Sequence, residues 1–244
     1  MNNEKFSVKF AQTEEEKRSA YALRYRDMIL EYNPTRTNET GLDVNAYDEY
    51  AKQIICIDNE TGEVVGCYRV IESDLIPENG SFTCDEEFDL TYLKQSGEKI
   101  AELSRAVIKK EYRNNVVLML LLRFVVKYLR QQNYRYIIGS ASFFGTDKDK
   151  YQKELSYIAH HHAIDDKYRI TAKEEKQITL LAETDFDAAD VKHALPPLIR
   201  AYLSFGAKMS KQSFTDREFG SIDLFVLLDE KDYNSSYIDK LLKL

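Results

Sequence analysis

Tryptophan is absent from the 244 residues, proline occurs four times, glycine nine times and cysteine three times. The chain has no internal repeat and no low-complexity linker, and its length suits one substantial core, so we expect one domain over residues 1–244. Cys56, Cys67 and Cys84 lack C-x-x-C spacing, and an odd number excludes a complete disulfide framework. A reducing compartment fits. Met1 to Lys5 carries no apolar signal core, and the longest greasy run, Val116 to Val126, is broken by Arg123 and too short to span a bilayer. These absences predict a cytoplasmic chain with at most peripheral membrane contact.

The net charge of −7 argues against wholesale nucleic-acid binding. Between Arg105 and Arg135 the balance reverses: Lys109, Lys110, Arg113, Arg123, Lys127 and Arg130 lie there with the single acid Glu111. Arg123, Lys127 and Arg130 follow the i, i+4, i+7 spacing of one helical face. Such a flank is either a solvated face or a dock for an acidic, phosphate-bearing partner.

Just upstream, Ala101-Glu102-Leu103-Ser104-Arg105-Ala106-Val107-Ile108 sets a carboxylate and a guanidinium inside a run that otherwise reads as a buried strand. Buried ionised groups need a partner or a task. Glu102 and Arg105 either pair structurally or serve a site. Three apart on a regular strand they face opposite sides, so one pocket can hold both only if a bulge intervenes; we expect it near Leu103 to Ser104.

Hydrophobic periodicity gives the order β-α-β-β-β-α-β-α followed by a mixed tail. Phe6 to Phe10 reads as a strand, and Thr13 caps a helix running to about Glu31. Gln53 to Ile57 and Val64 to Ile71 flank a hairpin signal containing Gly62. The Glu102 strand, a helix from Val116 to Gln132, a strand from Tyr134 to Ala141 and a helix from about Lys148 to His162 follow. Ile178 to Leu181 is strand-like, Ala194 to Phe205 is helical with Pro196 in its first turn, and Ile222 to Leu228 is a strong last strand before a short helix. The order predicts an α/β (or α+β) domain with a mixed central sheet. His160-His161-His162 cannot easily chelate one ion from a helix, where neighbouring side chains point about 100° apart, and no metal is expected.

Several blocks recur in order: Tyr21-Ala22-Leu23-Arg24-Tyr25-Arg26, Ala46-Tyr47-Asp48, Gly62 to Val70, Glu87-Phe88-Asp89-Leu90, Glu102-Leu103-Ser104-Arg105, Gly139 to Asp147, Leu195 to Tyr202 and Asp216 to Asp223. Together they resemble the GNAT-fold N-acyltransferases that use acyl carrier protein: ornithine N-acyltransferases, N-acyl amino acid synthases and, more distantly, acyl-homoserine-lactone synthases. The lactone branch usually carries a tryptophan in its N-terminal loop and often an acid at the place of Asn45; this chain has neither.

The resemblance implies a GNAT fold, with a mostly antiparallel sheet flanked by helices, that moves a fatty acyl chain from a carrier thioester to an amino acid such as ornithine, lysine or glycine. Glu102 and Arg105 would be catalytic. Arg24, Asp48, Arg69, Phe88, Ser142 and Phe143 would bind substrate, although Phe88 and Phe143 equally suit plain core. Lys109, Lys110, Arg113, Arg123 and Lys127 would meet acyl carrier protein. No tightly bound cofactor is implied; acyl-ACP or acyl-CoA would be a co-substrate. Tyr112-Arg113-Asn114-Asn115-Val116-Val117 has no glycine to let backbone N–H groups close on a nucleotide diphosphate, which favours the phosphopantetheine arm of a carrier over coenzyme A. An acetyl-CoA-dependent acetyltransferase is the alternative, and a non-catalytic module of the same fold a third.

Overall fold

The computed structural model describes residues 5–113 and 116–243; Asn114 and Asn115 of the glycine-free segment lie outside the described residues. In chain order the elements are β1 (Phe6–Phe10), α1 (Glu14–Arg24), α2 (Leu30–Tyr32), β2 (Lys52–Asp58), β3 (Val64–Glu72), β4 (Phe88–Asp89), α3 (Thr91–Gln95), β5 (Ile100–Ile108), α4 (Val116–Gln131), β6 (Tyr136–Phe144), α5 (Gln152–His161), β7 (Thr171–Ala172), α6 (Ala188–Ala194), α7 (Pro197–Ser204), β8 (Lys208–Asp216), β9 (Ser221–Asp229) and α8 (Ser235–Lys243). They divide into two compact units. The first holds Met1–Ser81, Ala101–Tyr134 and Asp239–Leu244, and the second Phe82–Ile100 and Arg135–Ile238.

In the first unit β1, β2, β3 and β5 pair antiparallel in that order. Thr13 caps α1 by accepting from the Glu16 N–H, and Glu16 reaches back to the Thr13 N–H, a reciprocal pairing that satisfies two orphan donors. At Arg24 the helix loosens into a π-helical turn over Tyr25–Ile29 before α2 ends it, so the single helix expected to Glu31 contains an interruption of the kind often found at functional sites. Gly62, at φ +73°, turns the β2–β3 hairpin where a side chain would be strained.

β3 alternates between two helices. Cys67 packs with Ala20 and Leu23 of α1, while Gly66 lies under α4. A Cβ on Gly66 would stand 2.6 Å from Val117 Cγ1 and 3.0 Å from Leu121 Cδ1. Gly66→Ala therefore overpacks the sheet against α4 and lowers stability by about 1–3 kcal/mol, read from the urea midpoint.

In the second unit β6, β9 and β8 pair antiparallel, and β4 pairs with β7. One face of the larger sheet buries Ala141, Phe143, Met209, Ile222, Leu224 and Val226 against Leu155 and Ile158 of α5, Val191 of α6 and Ile199 of α7. The helix expected over 194–205 is two helices. Leu195 and Pro196 interrupt it because Pro196 disfavours helical backbone at the residue before it, and the chain restarts with Pro197 at the first helical position. Ile178 to Leu181 is not a strand. The surrounding segment instead lines the edge of β8 with side chains: Gln177 exchanges hydrogen bonds with the Ser213 N–H (3.0 Å) and C=O (3.1 Å), and Glu174 accepts from the Thr215 N–H at 2.8 Å. These groups occupy ladder positions that an exposed edge would offer to another chain.

Candidate active site

Arg24 leaves the end of α1 fully buried, and its guanidinium is satisfied on three sides. Nη1 and Nη2 donate end-on to Asp48 Oδ1 (2.8 Å) and Oδ2 (3.0 Å), Nε donates to Asp43 Oδ2 (2.7 Å), and Nη1 also reaches Gln53 Oε1 at 3.3 Å. This planar fork suits Arg and not Lys. Burial penalises every charge here, but Asp48 and Asp43 hold Arg24 above its ordinary pKa. The same burial opposes ionisation of both acids. Arg105 and Arg24 outweigh it at Asp43, and Arg24 and Arg69 at Asp48, so both carboxyls sit below the ordinary range.

Arg69, from the middle of β3, is also fully buried. Nε donates to Ser104 Oγ (2.9 Å), Nη1 donates to Asn45 Oδ1 (2.9 Å) and stands 3.5 Å from Asp48 Oδ1, and Tyr47 covers the guanidinium plane at 5.6 Å. Nη2 is buried without a hydrogen-bond partner. Burial, with Arg105 and Arg24 nearby, pulls this guanidinium down to about 10 despite the attraction of Asp48 and Glu102. A buried cation held among cations, with one donor unused, is a receptor for an anion.

The bulge that the Glu102–Arg105 spacing requires is present, displaced from its expected position. Leu103 and Ser104 pair regularly with Val70 and Arg69; the register shifts between Ser104 and Val107. Arg105 takes φ +54° there, a left-handed backbone uncommon for a side chain of its size. The extra residue reverses the alternation of β5, so Glu102 and Ser104 before it share a face with Arg105 and Val107 after it. Arg105 Nε then donates to Asp43 Oδ2 at 3.0 Å, its side chain 27% exposed, while Glu102 is fully buried. Arg24, Asp48, Arg69 and Arg105 are thus joined in one network, Asp43 linking Arg24 to Arg105. Asp43, Gln53, Asn45 and Ser104 escape a reading of the sequence because a polar residue in a loop or strand gives no signal of its partner.

Phe88, Ser142 and Phe143 belong to the second unit. Phe88 is fully buried against Phe225, with ring centroids 5.6 Å apart, and Phe143 lies in the core beside Tyr151. Ser142 sits opposite Asp223 in the β6–β9 ladder. Around it a second group has formed without a signal in the sequence: a carboxylate oxygen from each of Glu87, Asp216 and Asp223, all within 4.8 Å of one another. This spacing would also admit a metal ion. Burial, then the charges of Asp223 and Asp216, push the Glu87 carboxyl up to about 9. Burial likewise raises Asp223, to about 6, although the Ser142 and Ser221 hydroxyls favour its charge.

Between the ordinary 4.5 of an unfolded glutamate and about 9, folded Glu87 keeps a proton that the unfolded chain has released. Stability therefore falls as pH rises through that window. Glu87→Gln is expected to flatten the slope, measured as the urea midpoint between pH 5 and pH 9.

The basic residues after β5 are drawn to acids that the fold brings from elsewhere. Lys109 Nζ pairs with Glu63 at 2.6 Å, and Arg113 with Glu31 at 2.5 Å. The Lys110 N–H donates to Asp27 at 3.2 Å, and Arg123 Nη2 to the Leu242 carbonyl at 3.1 Å; Lys127 is exposed.

Residues 23–123 match the family model described as an acetyltransferase (GNAT) domain. Over 232 residues the chain is 30% identical to the L-ornithine N(alpha)-acyltransferase of Rhodobacter capsulatus, a match covering 92% of this chain and 90% of that protein. It is 24% identical to the L-ornithine N(alpha)-acyltransferase of Rhizobium meliloti, covering 91% and 79%. Among solved structures, a CoA-dependent acyl-homoserine lactone synthase, BjaI, with MTA superposes with a TM-score of 0.54 at 12% identity over 94% of this chain and 82% of that one. The last likeness is one of fold.

Proposed function

We propose, because this chain belongs to the L-ornithine N(alpha)-acyltransferases of GNAT fold, that it acylates the amine of an amino acid, ornithine foremost, with a fatty acyl chain carried by acyl carrier protein. The observation that carries the amino-acid part is the unpartnered Nη2 of buried Arg69. An α-carboxylate placed there gains a charge-assisted hydrogen bond and relieves the crowding of Arg69 by Arg105 and Arg24.

The acceptor arrives as an ammonium ion and must lose a proton before its nitrogen attacks the thioester carbonyl. Glu102, the carboxylate on the face of β5 that carries Ser104 and Arg105, is the proposed base. Attack forms the C–N bond and places the carbonyl electron pair on oxygen; its return expels the carrier thiolate, leaving an amide and, after protonation, a free thiol. Backbone N–H groups beside the bulge are candidates to meet the transient oxyanion. The glycine-free turn after β5 supports a phosphopantetheine arm without a nucleotide diphosphate.

Mass spectrometry of products tests both halves. Incubation with a long-chain acyl carrier protein and, separately, with long-chain acyl-CoA and acetyl-CoA over a panel of amino acids should give N-acylornithine from the carrier thioester. Acetylated product from acetyl-CoA alone would overturn the reading.

A further inference from the structure

Glu87, Asp216 and Asp223 form a receptor that the acyl-transfer chemistry leaves without a role. Each carboxylate is already committed on part of its surface: Glu87 Oε2 accepts from Ser140 (2.9 Å), Asp223 Oδ2 from Ser221 (3.1 Å), and Asp216 Oδ1 from the Glu218 and Phe219 N–H groups (2.9 and 2.8 Å). One oxygen of each is left over. At Asp223, only 3% exposed, that oxygen is Oδ1, buried with no hydrogen-bond partner. Glu87 and Asp216 are half-buried, so the cluster is reachable from solvent.

Three leftover acceptors suit a primary ammonium group. Its three N–H donors diverge tetrahedrally, which at an N···O distance of about 2.8 Å spaces their acceptors about 4.6 Å apart, inside the 4.8 Å limit observed. Magnesium would demand six close oxygens in near-octahedral order.

We infer that this cluster binds the side-chain ammonium of a diamino acid, and that Glu87, Asp216 and Asp223 decide both acceptor choice and which amine reacts. The inference rests on the reading of the acceptor as an amino acid. An amine held charged by three carboxylates has no lone pair to attack a thioester; the α-amine, not so held, is the one acylated. The buried acids discriminate further, since an acceptor lacking the terminal amine leaves Asp223 Oδ1 unsatisfied.

The test compares ornithine with norvaline, which has the same carbon skeleton and no terminal amine, in the intact protein and in Glu87→Gln, Asp216→Asn and Asp223→Asn. The ornithine-to-norvaline ratio of kcat/KM is expected to fall about 10–100-fold in the variants, with side-chain-acylated ornithine appearing among the products. Equal loss for both acceptors would overturn the inference. So would stabilisation of the unaltered protein, and not of the variants, by magnesium or calcium chloride, which would make the cluster a metal site. A thermal shift read without any acyl donor separates this inference from the acyl-transfer reading. Ornithine raising Tm more than norvaline, except in Asp223→Asn, supports the subsite even where no product forms; equal shifts overturn it even where product does.

Discussion

Glu102→Gln is expected to lower turnover with ornithine by about 10²–10⁴-fold while the protein stays folded, because the amide keeps the shape of the carboxylate and removes its basicity. The residue is fully buried on β5, opposite Ile71 in the β3 ladder and two positions before Ser104, which accepts from Arg69. Its charge also helps hold Arg69 in its ionised form. The substitution must therefore be read by two measurements. A fall in kcat with an unchanged urea midpoint assigns Glu102 to proton removal; a lower midpoint with turnover retained would assign it to the support of Arg69 and remove it from the chemistry.

Arg24→Met is expected to cost about 3–5 kcal/mol of stability, the range for breaking a buried ion pair from one side. Methionine fills part of the volume but leaves Asp48, whose side chain is 2% exposed, and Asp43, 11% exposed, without their shared cation. The effect has a pH signature. Both carboxyls lie below the ordinary 3.8 in the folded protein, so their contribution is present above that value and lost as pH falls through the lower folded values. With Arg24 gone, burial is less opposed and the two pKa values rise. The variant should lose stability at higher pH than the parent, and its deficit should narrow once both proteins are acidified below pH 3. Equilibrium urea unfolding from pH 2 to pH 7 gives the comparison; a uniform deficit across that range would show that packing of the Arg24 stem, and not its charge, was lost.

The first half of the fold was legible because its signals are local. Thr13 and Glu16 cap their own helix, Gly62 turns its own hairpin, and the run of apolar residues from Val116 has the 3.6-residue period of a helix with one buried face. β8 was not legible: its buried positions include Ser210, Ser213 and Thr215, whose hydroxyls are accommodated by the fold and carry no apolar alternation. Ile178 to Leu181 had the composition of a strand, but Gln177 and Glu174 beside it hold side-chain hydrogen bonds to β8, leaving the segment irregular.

At the site, the sequence by itself determined which groups are present. Arg24, Asp48, Arg69, Glu102 and Arg105 stand in a recognisable order, and the three-residue step from Glu102 to Arg105 required a bulge if both were to serve one face. Only the tertiary structure decided where that bulge falls, that Asp43 joins Arg24 to Arg105, that one nitrogen of Arg69 is left without a partner, and that Glu87, Asp216 and Asp223 converge from separate segments. The reason is physical: periodicity and capping act over a few residues along the chain, whereas a charge finds its partner through space, in surroundings whose burial sets the strength of the pairing.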